Sequence, residues 1–230
     1  MMKIIAHIHT DFPEKFGIPR QSGLVEGAQG VIVFESRYRQ EAALKGLEEY
    51  SYMWVIWQFS EAMRDDWSAT VRPPRLGGRK RVGVFATRSP FRPNPIGLSC
   101  VKIESVVIDQ KLGPVIYVSG VDMLDGTPVY DIKPYLPYCD AYPDAKDGFA
   151  GRVKDKVLAV QWTQEVCAQW GEELSQGQKA AIEELLAQDP RTAYMEDEER
   201  IWGMCYADYN IKFQVKEDTA CIIKITKTDK

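Results

Sequence analysis

Between Trp67 and Ile103 the chain carries Arg72, Arg75, Arg79, Lys80, Arg81, Arg88, Arg92 and Lys102, and no Asp or Glu. A guanidinium matches phosphate oxygens in pairs and stays charged, so Arg72, Arg75, Arg88 and Arg92 are candidate binders of a polyanion. Proline surrounds several of them, in Val71-Arg72-Pro73-Pro74-Arg75 and in Phe91-Arg92-Pro93-Asn94-Pro95. Because proline fixes φ, these side chains project from a stiffened backbone and lose less entropy on gripping a ligand. A merely solvated loop does not need that stiffening. With these eight cations set apart, 21 basic and 33 acidic residues remain, so the rest of a chain of net charge -4 carries -12. Such segregation gives a local field that holds phosphates on an otherwise repulsive protein.

Other chemistries have little material. His7 and His9 are the only histidines and fit strand neighbours on one face better than a triad or a multi-His metal site. Cys100, Cys139, Cys167, Cys205 and Cys221 are odd in number and never spaced as CxxC, which speaks against a disulfide framework and against zinc. No Walker A sequence occurs, and no GxGxxG follows a strand, so neither an NTPase nor a dinucleotide oxidoreductase is favoured. The Gly-rich loop of Rossmann-type methyltransferases is not evident either.

The elements that must position the basic segment are short. In 230 residues, 45% apolar and 27% charged, 13 Pro and 17 Gly imply many turns. Strand-like runs cover Ile4 to Ile8, Val31 to Phe34, Tyr52 to Phe59, Val82 to Ala86, Leu98 to Ile108 and Val115 to Val121. Lys111-Leu112-Gly113-Pro114 joins the last two as a hairpin, and Glu41 to Leu47 is the one good helix candidate of this half. The pattern predicts a mainly β protein, with a closed or nearly closed β-barrel over residues 1–150. From Pro128 to Pro143 four prolines change the texture, and Pro143 to Gly148 reads as an exposed linker. Beyond it, a strand over Val157 to Trp162, a helix over Gly177 to Gln188 and strands over Ile211 to Val215 and Cys221 to Ile225 predict a small α+β domain, residues 151–230. The longest strongly apolar run, Tyr52 to Phe59, falls far short of the roughly 20 residues of a membrane span, and the start lacks a signal-peptide core. A cytoplasmic protein with no membrane and no metal partner is expected.

Three stretches are distinctive: Phe16-Gly17-Ile18-Pro19-Arg20-Gln21-Ser22-Gly23-Leu24; Gly83 through Leu98, with Arg88-Ser89-Pro90-Phe91-Arg92-Pro93-Asn94-Pro95 at its centre; and Asp125-Gly126-Thr127-Pro128-Val129-Tyr130-Asp131-Ile132-Lys133-Pro134-Tyr135. Here the chain closely resembles the TsaA/TrmO family, S-adenosylmethionine-dependent methyltransferases acting on N6 of threonylcarbamoyladenosine at position 37 of tRNA. The likeness runs over most of residues 5–140 and resumes at Leu186 to Arg191 and Ala193-Tyr194. It implies a β-barrel catalytic domain, a small C-terminal domain that assists tRNA binding, S-adenosyl-L-methionine as methyl donor, and a homodimer.

Carried over residue by residue, the resemblance places the cofactor at Gln21, Ser22 and Gly23, at Phe59 and Ser60, at Arg88 and Leu98, and at Asp125, Gly126 and Thr127. Ser60 stands where some relatives carry His. For the tRNA anticodon loop, Arg72, Arg75 and Arg92 are the phosphate binders, Asn94 a partner for a base edge, and Phe91 or Tyr135 a surface on which an unpaired base can stack. Methyl transfer from a sulfonium needs in-line geometry above all. Asp131 or Tyr135 can accept the N6 proton, and Lys133 can orient the threonylcarbamoyl group. All cofactor positions precede Tyr135, so residues 1–150 are expected to bind the cofactor alone. A non-catalytic tRNA- or nucleotide-binding module would keep the basic segment without needing the Pro19-Arg20-Gln21 and Asp125-Gly126-Thr127 clusters.

Overall fold

The computed structural model describes residues 2–64, 66–73, 76, 80–151, 157–191 and 197–228. Arg75, Arg79 and Ala193-Tyr194 lie outside the described residues. The N-terminal half is built from β1 (Ala6–Thr10), β2 (Gln29–Phe34), β3 (Tyr52–Gln58), β4 (Thr70–Val71), β5 (Val82–Gly83), β6 (Ile96–Asp109), β7 (Gly113–Ser119) and β8 (Thr127–Pro134). Six of these close a barrel in the order β1-β2-β7-β6-β3-β8, every pair antiparallel, with β8 returning to β1. Alternation does the work the sequence suggests. Met53, Val55 and Trp57 of β3 and Val101 of β6 point into the core, while Tyr52, Trp54, Ile56 and Leu98 stand outside. Gly97 lets the Trp57 indole lie against β6, because a Cβ there would fall 2.1 Å from the ring.

Three expectations need correction. Glu41 to Leu47 is not one helix but two 3-10 turns, Glu41–Ala43 and Leu47–Glu49, separated by Gly46 at φ +91, a value that ends a helix. Val82 to Ala86 pairs only over β5 and then winds into a 3-10 turn, Val84–Ala86. The proline-rich stretch after Pro128 begins as β8, which closes the barrel. Pro128 and Pro134 sit near its two ends, where a missing N–H harms the ladder least. In β8 the register shifts so that Trp57 faces Val129 and Ile56 faces Asp131, leaving Tyr130 as the extra residue of a bulge.

A short α1 (Pro137–Asp140) follows, then β9 (Ala159–Trp162), α2 (Gln164–Trp170), α3 (Gln176–Ala187), β10 (Ile201–Tyr206), β11 (Tyr209–Lys216) and β12 (Thr219–Lys227). The sheet order is β10-β11-β12-β9, with β9 parallel to β12. Sequence reading found neither α2 nor β10. Thr163 caps α2 and a Ser175/Gln178 capping box starts α3. The segment from Asp11 to Ala28 is packed between this sheet and the barrel. Phe16 stacks on Trp202 at 5.9 Å and 6°, Phe12 meets Tyr206 at 5.9 Å, and the Ala207 N–H donates to the Asp11 carbonyl at 2.8 Å. One apolar core runs through both halves.

Candidate active site

Long β6 pairs with β7 only from Lys102 onward, and the freed strand edge receives the Gln21–Gly23 segment. The Cys100 N–H donates to the Ser22 Oγ at 3.0 Å, and the Gly23 N–H donates to the Gly120 carbonyl at 2.9 Å. Arg88 reaches across to donate to the Gln21 side-chain carbonyl. Behind these groups lies Asp122. Its carboxylate accepts the Ser99 hydroxyl at 2.5 Å, and Ser99 in turn accepts the Trp57 indole N–H at 2.9 Å. Burial pushes the Asp122 carboxyl up to about 6, against the opposing pull of Ser99, of the Ser22 N–H and of the Arg88 charge. Sequence reasoning missed Asp122. Its signal was a lone acid within the apolar run Val121-Asp122-Met123, where a buried carboxyl requires partners. Phe59 joins this cluster through its ring, 4.2 Å from that of Trp57, and its N–H donates to the Pro95 carbonyl at 2.9 Å. Ser60 is exposed and opens the turn Ser60–Ala62.

The outer face of β8-β3-β6 carries the remaining chemistry in rows. Asp131, Ile56 and Leu98 form one row, and Lys133, Trp54 and Cys100 the next. The outer members of a row are separated by two strand spacings, about 10 Å. Lys133 Nζ pairs with Asp131 Oδ2 at 3.1 Å, and Asp131 Oδ1 accepts the Ile132 N–H at 3.0 Å. Tyr135 donates its N–H to the Tyr52 carbonyl, and its ring packs 5.7 Å from Trp54 and 6.4 Å from Tyr52. Trp54 is held by its indole N–H on Asp140 at 2.9 Å. The Leu136 N–H, and after it that bond, keep the Asp140 carboxyl below the usual range. Cys100 therefore links the two groups: its side chain belongs to the Lys133 row and its N–H holds Ser22. Asp131 also lines a cleft of about 370 Å³ with Ile5, Phe34, Arg37, Tyr38 and Leu44.

Asp125, Gly126 and Thr127 occupy a different neighbourhood, where β1 meets β8. Asp125 Oδ1 accepts the Thr10 N–H at 3.1 Å and lies 3.2 Å from His9 Nδ1; the Gly126 N–H donates to Ile8, and buried Thr127 donates to the Leu124 carbonyl at 2.7 Å. Among the described residues no hydrogen bond or ion pair joins them to Gln21–Gly23 or Arg88. In the basic segment, Arg92 donates to the Thr87 carbonyl at 3.1 Å, and the Arg64 guanidinium lies 4.1 Å over the Phe91 ring. Arg72 and Asn94 are exposed. Among the described residues no three His, Cys, Asp or Glu side chains converge as a metal site, and no helix is long and apolar enough to cross a membrane.

Two family descriptions divide the chain between them: tRNA-methyltransferase O N-terminal domain matches residues 7–141, and TrmO C-terminal domain matches residues 155–228. The chain belongs to the TrmO family. It is 43% identical over 219 residues to the tRNA (adenine(37)-N6)-methyltransferase of Escherichia coli K12, covering 93% of this chain and 92% of that one. A Pseudomonas aeruginosa protein provisionally named S-adenosylmethionine-dependent methyltransferase RcsF is 42% identical over 209 residues, 87% of this chain and 88% of its own. The crystal structure of TrmO from Pseudomonas aeruginosa superposes with a TM-score of 0.76 at 34% identity, covering 98% of each chain. For a TrmO chain, the donor set along β6 fits a sulfonium nucleoside. Exposed Leu98 and the Phe59 ring offer apolar contact and Arg88 can take a carboxylate, beside a Gln21–Gly23 segment whose Ser22 and Gly23 N–H groups are already held by Asp122 and Gly120.

Proposed function

We propose that this TrmO chain methylates N6 of threonylcarbamoyladenosine at position 37 of tRNA, with S-adenosyl-L-methionine as the donor. The observation that carries this reading is Cys100, whose backbone holds Ser22 while its row across the sheet ends at Lys133. Leu98 and Ser22 on the cofactor side and Asp131 and Lys133 on the acceptor side thereby lie along one stretch of sheet, in a chain whose residues 67–103 carry eight cations and no acid.

Gln21, Ser22, Gly23, Phe59, Ser60, Arg88 and Leu98 would hold the cofactor; of Asp125, Gly126 and Thr127, whose backbone N–H groups are used on Phe12, Ile8 and Leu124, the exposed Asp125 carboxylate would contribute. When bound, the cofactor supplies an electrophilic methyl group on a positive sulfur. The chain itself supplies position, which is the larger part of the acceleration for such a displacement. Lys133 holds the threonylcarbamoyl carboxylate, and Asp131, already paired with Lys133 at 3.1 Å, takes the N6 proton directly or through water, with Tyr135 as the flanking ring. The urea-type carbonyl withdraws electron density from N6 and makes its proton easier to lose, which suits a site with no stronger base. Arg72, Arg75 and Arg92 grip phosphates, while Phe91 and Asn94 face the unpaired bases of the anticodon loop. Residues 1–150 form the catalytic barrel and residues 151–230 the part that assists tRNA engagement, in a cytoplasmic homodimer.

The test is mass spectrometry of tRNA nucleosides after incubation with the protein and labelled S-adenosylmethionine, using two tRNAs that differ only in the threonylcarbamoyl group. Label on N6 of the acylated tRNA alone is expected. Equal methylation of both tRNAs removes the acceptor claim, and no label on either removes the activity.

A further inference from the structure

Trp67 and Phe85 pack against each other as a tilted pair, their ring centroids 5.9 Å apart at 31°, yet Trp67 is 53% and Phe85 69% exposed. Two large aromatic rings in contact with each other would bury more if their role were packing. The other side of the cluster is cationic: the Arg92 guanidinium lies 5.9 Å from the Phe85 ring. Phe91, by contrast, already has one face covered by Arg64 at 4.1 Å. Phe85 sits in the turn Val84–Ala86, which Thr87 ties down through its N–H and hydroxyl, at 3.1 and 2.8 Å from the Val84 carbonyl. Arg92 braces the same turn through the Thr87 carbonyl. Three residues beyond Phe85, at most about 11 Å of chain, Arg88 bonds Gln21.

We infer that Trp67 and Phe85 form a ledge on which an unpaired RNA base stacks, next to the acceptor adenosine, with the phosphates on either side of that base held by the surrounding arginines. The inference rests on the tRNA reading above and adds a contact to it. Every nucleobase has a flat π-face, so exposed rings recognise a single strand without reading its sequence. Trp67 opens the acid-free stretch that runs to Ile103, and Asp65 and Asp66 close it off on the N-terminal side. This charge pattern favours a polyanion over an apolar peptide as the occupant.

The test is binding of an anticodon stem-loop RNA, followed by fluorescence anisotropy at several salt concentrations, for the parent, Trp67→Ala, Phe85→Ala, Trp67→Leu, Trp67→Phe and Arg72→Ala. Stacking predicts about 10-fold weaker binding for Trp67→Ala and Phe85→Ala, with the salt slope, the melting temperature and S-adenosylmethionine affinity unchanged. Trp67→Phe should recover most of the loss and Trp67→Leu should not. Arg72→Ala should instead lower the slope. The ledge is overturned if Trp67→Ala binds like the parent, if Leu serves as well as Phe, or if the loss accompanies a fall in melting temperature. A parent that methylates tRNA while every ring variant binds normally sinks the ledge alone. A parent that neither binds nor methylates sinks the functional reading with it.

Discussion

Asp122 and Ser99 meet at 2.5 Å inside the barrel, with the Trp57 indole completing the chain of bonds. Burial raises the folded-state carboxyl from 3.8 to about 6, so between those values the folded protein holds a proton that the unfolded chain has released. The stabilisation from this group is therefore full below about pH 4 and is lost as pH rises through 6, on the order of 3 kcal/mol in total. Urea unfolding of the parent and of Asp122→Asn across pH 4 to 7 checks this. The difference in stability between the two should change by that order across the window, and a difference that stays flat rejects it.

Arg88 is exposed and held by Gln21, so Arg88→Ala removes a charge from the site without opening the core. Methyl transfer should fall by about 100-fold or more while the melting temperature holds, as for loss of a preorganised charged donor. Unchanged turnover would take Arg88 out of the site.

Arg72 stands exposed at the end of β4, clear of the cofactor-side bonds. Arg72→Ala should weaken tRNA binding and lower the slope of log affinity against log salt by about 0.7 to 0.9, the contribution of one neutralised phosphate. Weaker binding with the original slope would contradict a phosphate contact.

The segment carrying Gln21–Gly23 is pinned from the other side by the Phe16 and Trp202 stack, and Trp202 is only 7% exposed. Trp202→Ala should cost about 3 to 5 kcal/mol of stability and weaken S-adenosylmethionine binding although it lies in the C-terminal sheet. A fragment of residues 1–150 exposes Phe12 and Phe16, so the packing revises the expectation of full cofactor binding by that fragment. Calorimetric titration of fragment and full chain decides: weaker binding by the fragment is expected, and equal affinities would restore the simpler division.

Strands that alternate cleanly, such as Tyr52 to Gln58 with Met53, Val55 and Trp57 inward, were legible because their period of two is carried by side-chain type. The barrel followed from their number and spacing. The strand that closes it was not legible, because β8 begins and ends near prolines, and the helical pattern of Glu41 to Leu47 gave no weight to Gly46. The Gln21–Gly23, Arg88 and Leu98 positions came from motif resemblance, and the rows that join Leu98 to Asp131, and Cys100 with its bond to Ser22 to Lys133, came only with the register of β6, β3 and β8. Asp122 stayed hidden because its partners are 23 residues away at Ser99 and 100 residues away at Ser22.

The extra residue at Tyr130 inverts the parity of β8 at one point. Val129 and Asp131 are two apart in sequence, yet Val129 faces inward-pointing Trp57 and Asp131 faces outward-pointing Ile56. In an unbroken strand two such residues share a side. The bulge therefore lets one strand give Val129 to the core and, from the next paired position onward, the charges of Asp131 and Lys133 to the outer face. Drawn out as a regular strand of the same length, β8 could keep Val129 inward only by turning both ions in with it.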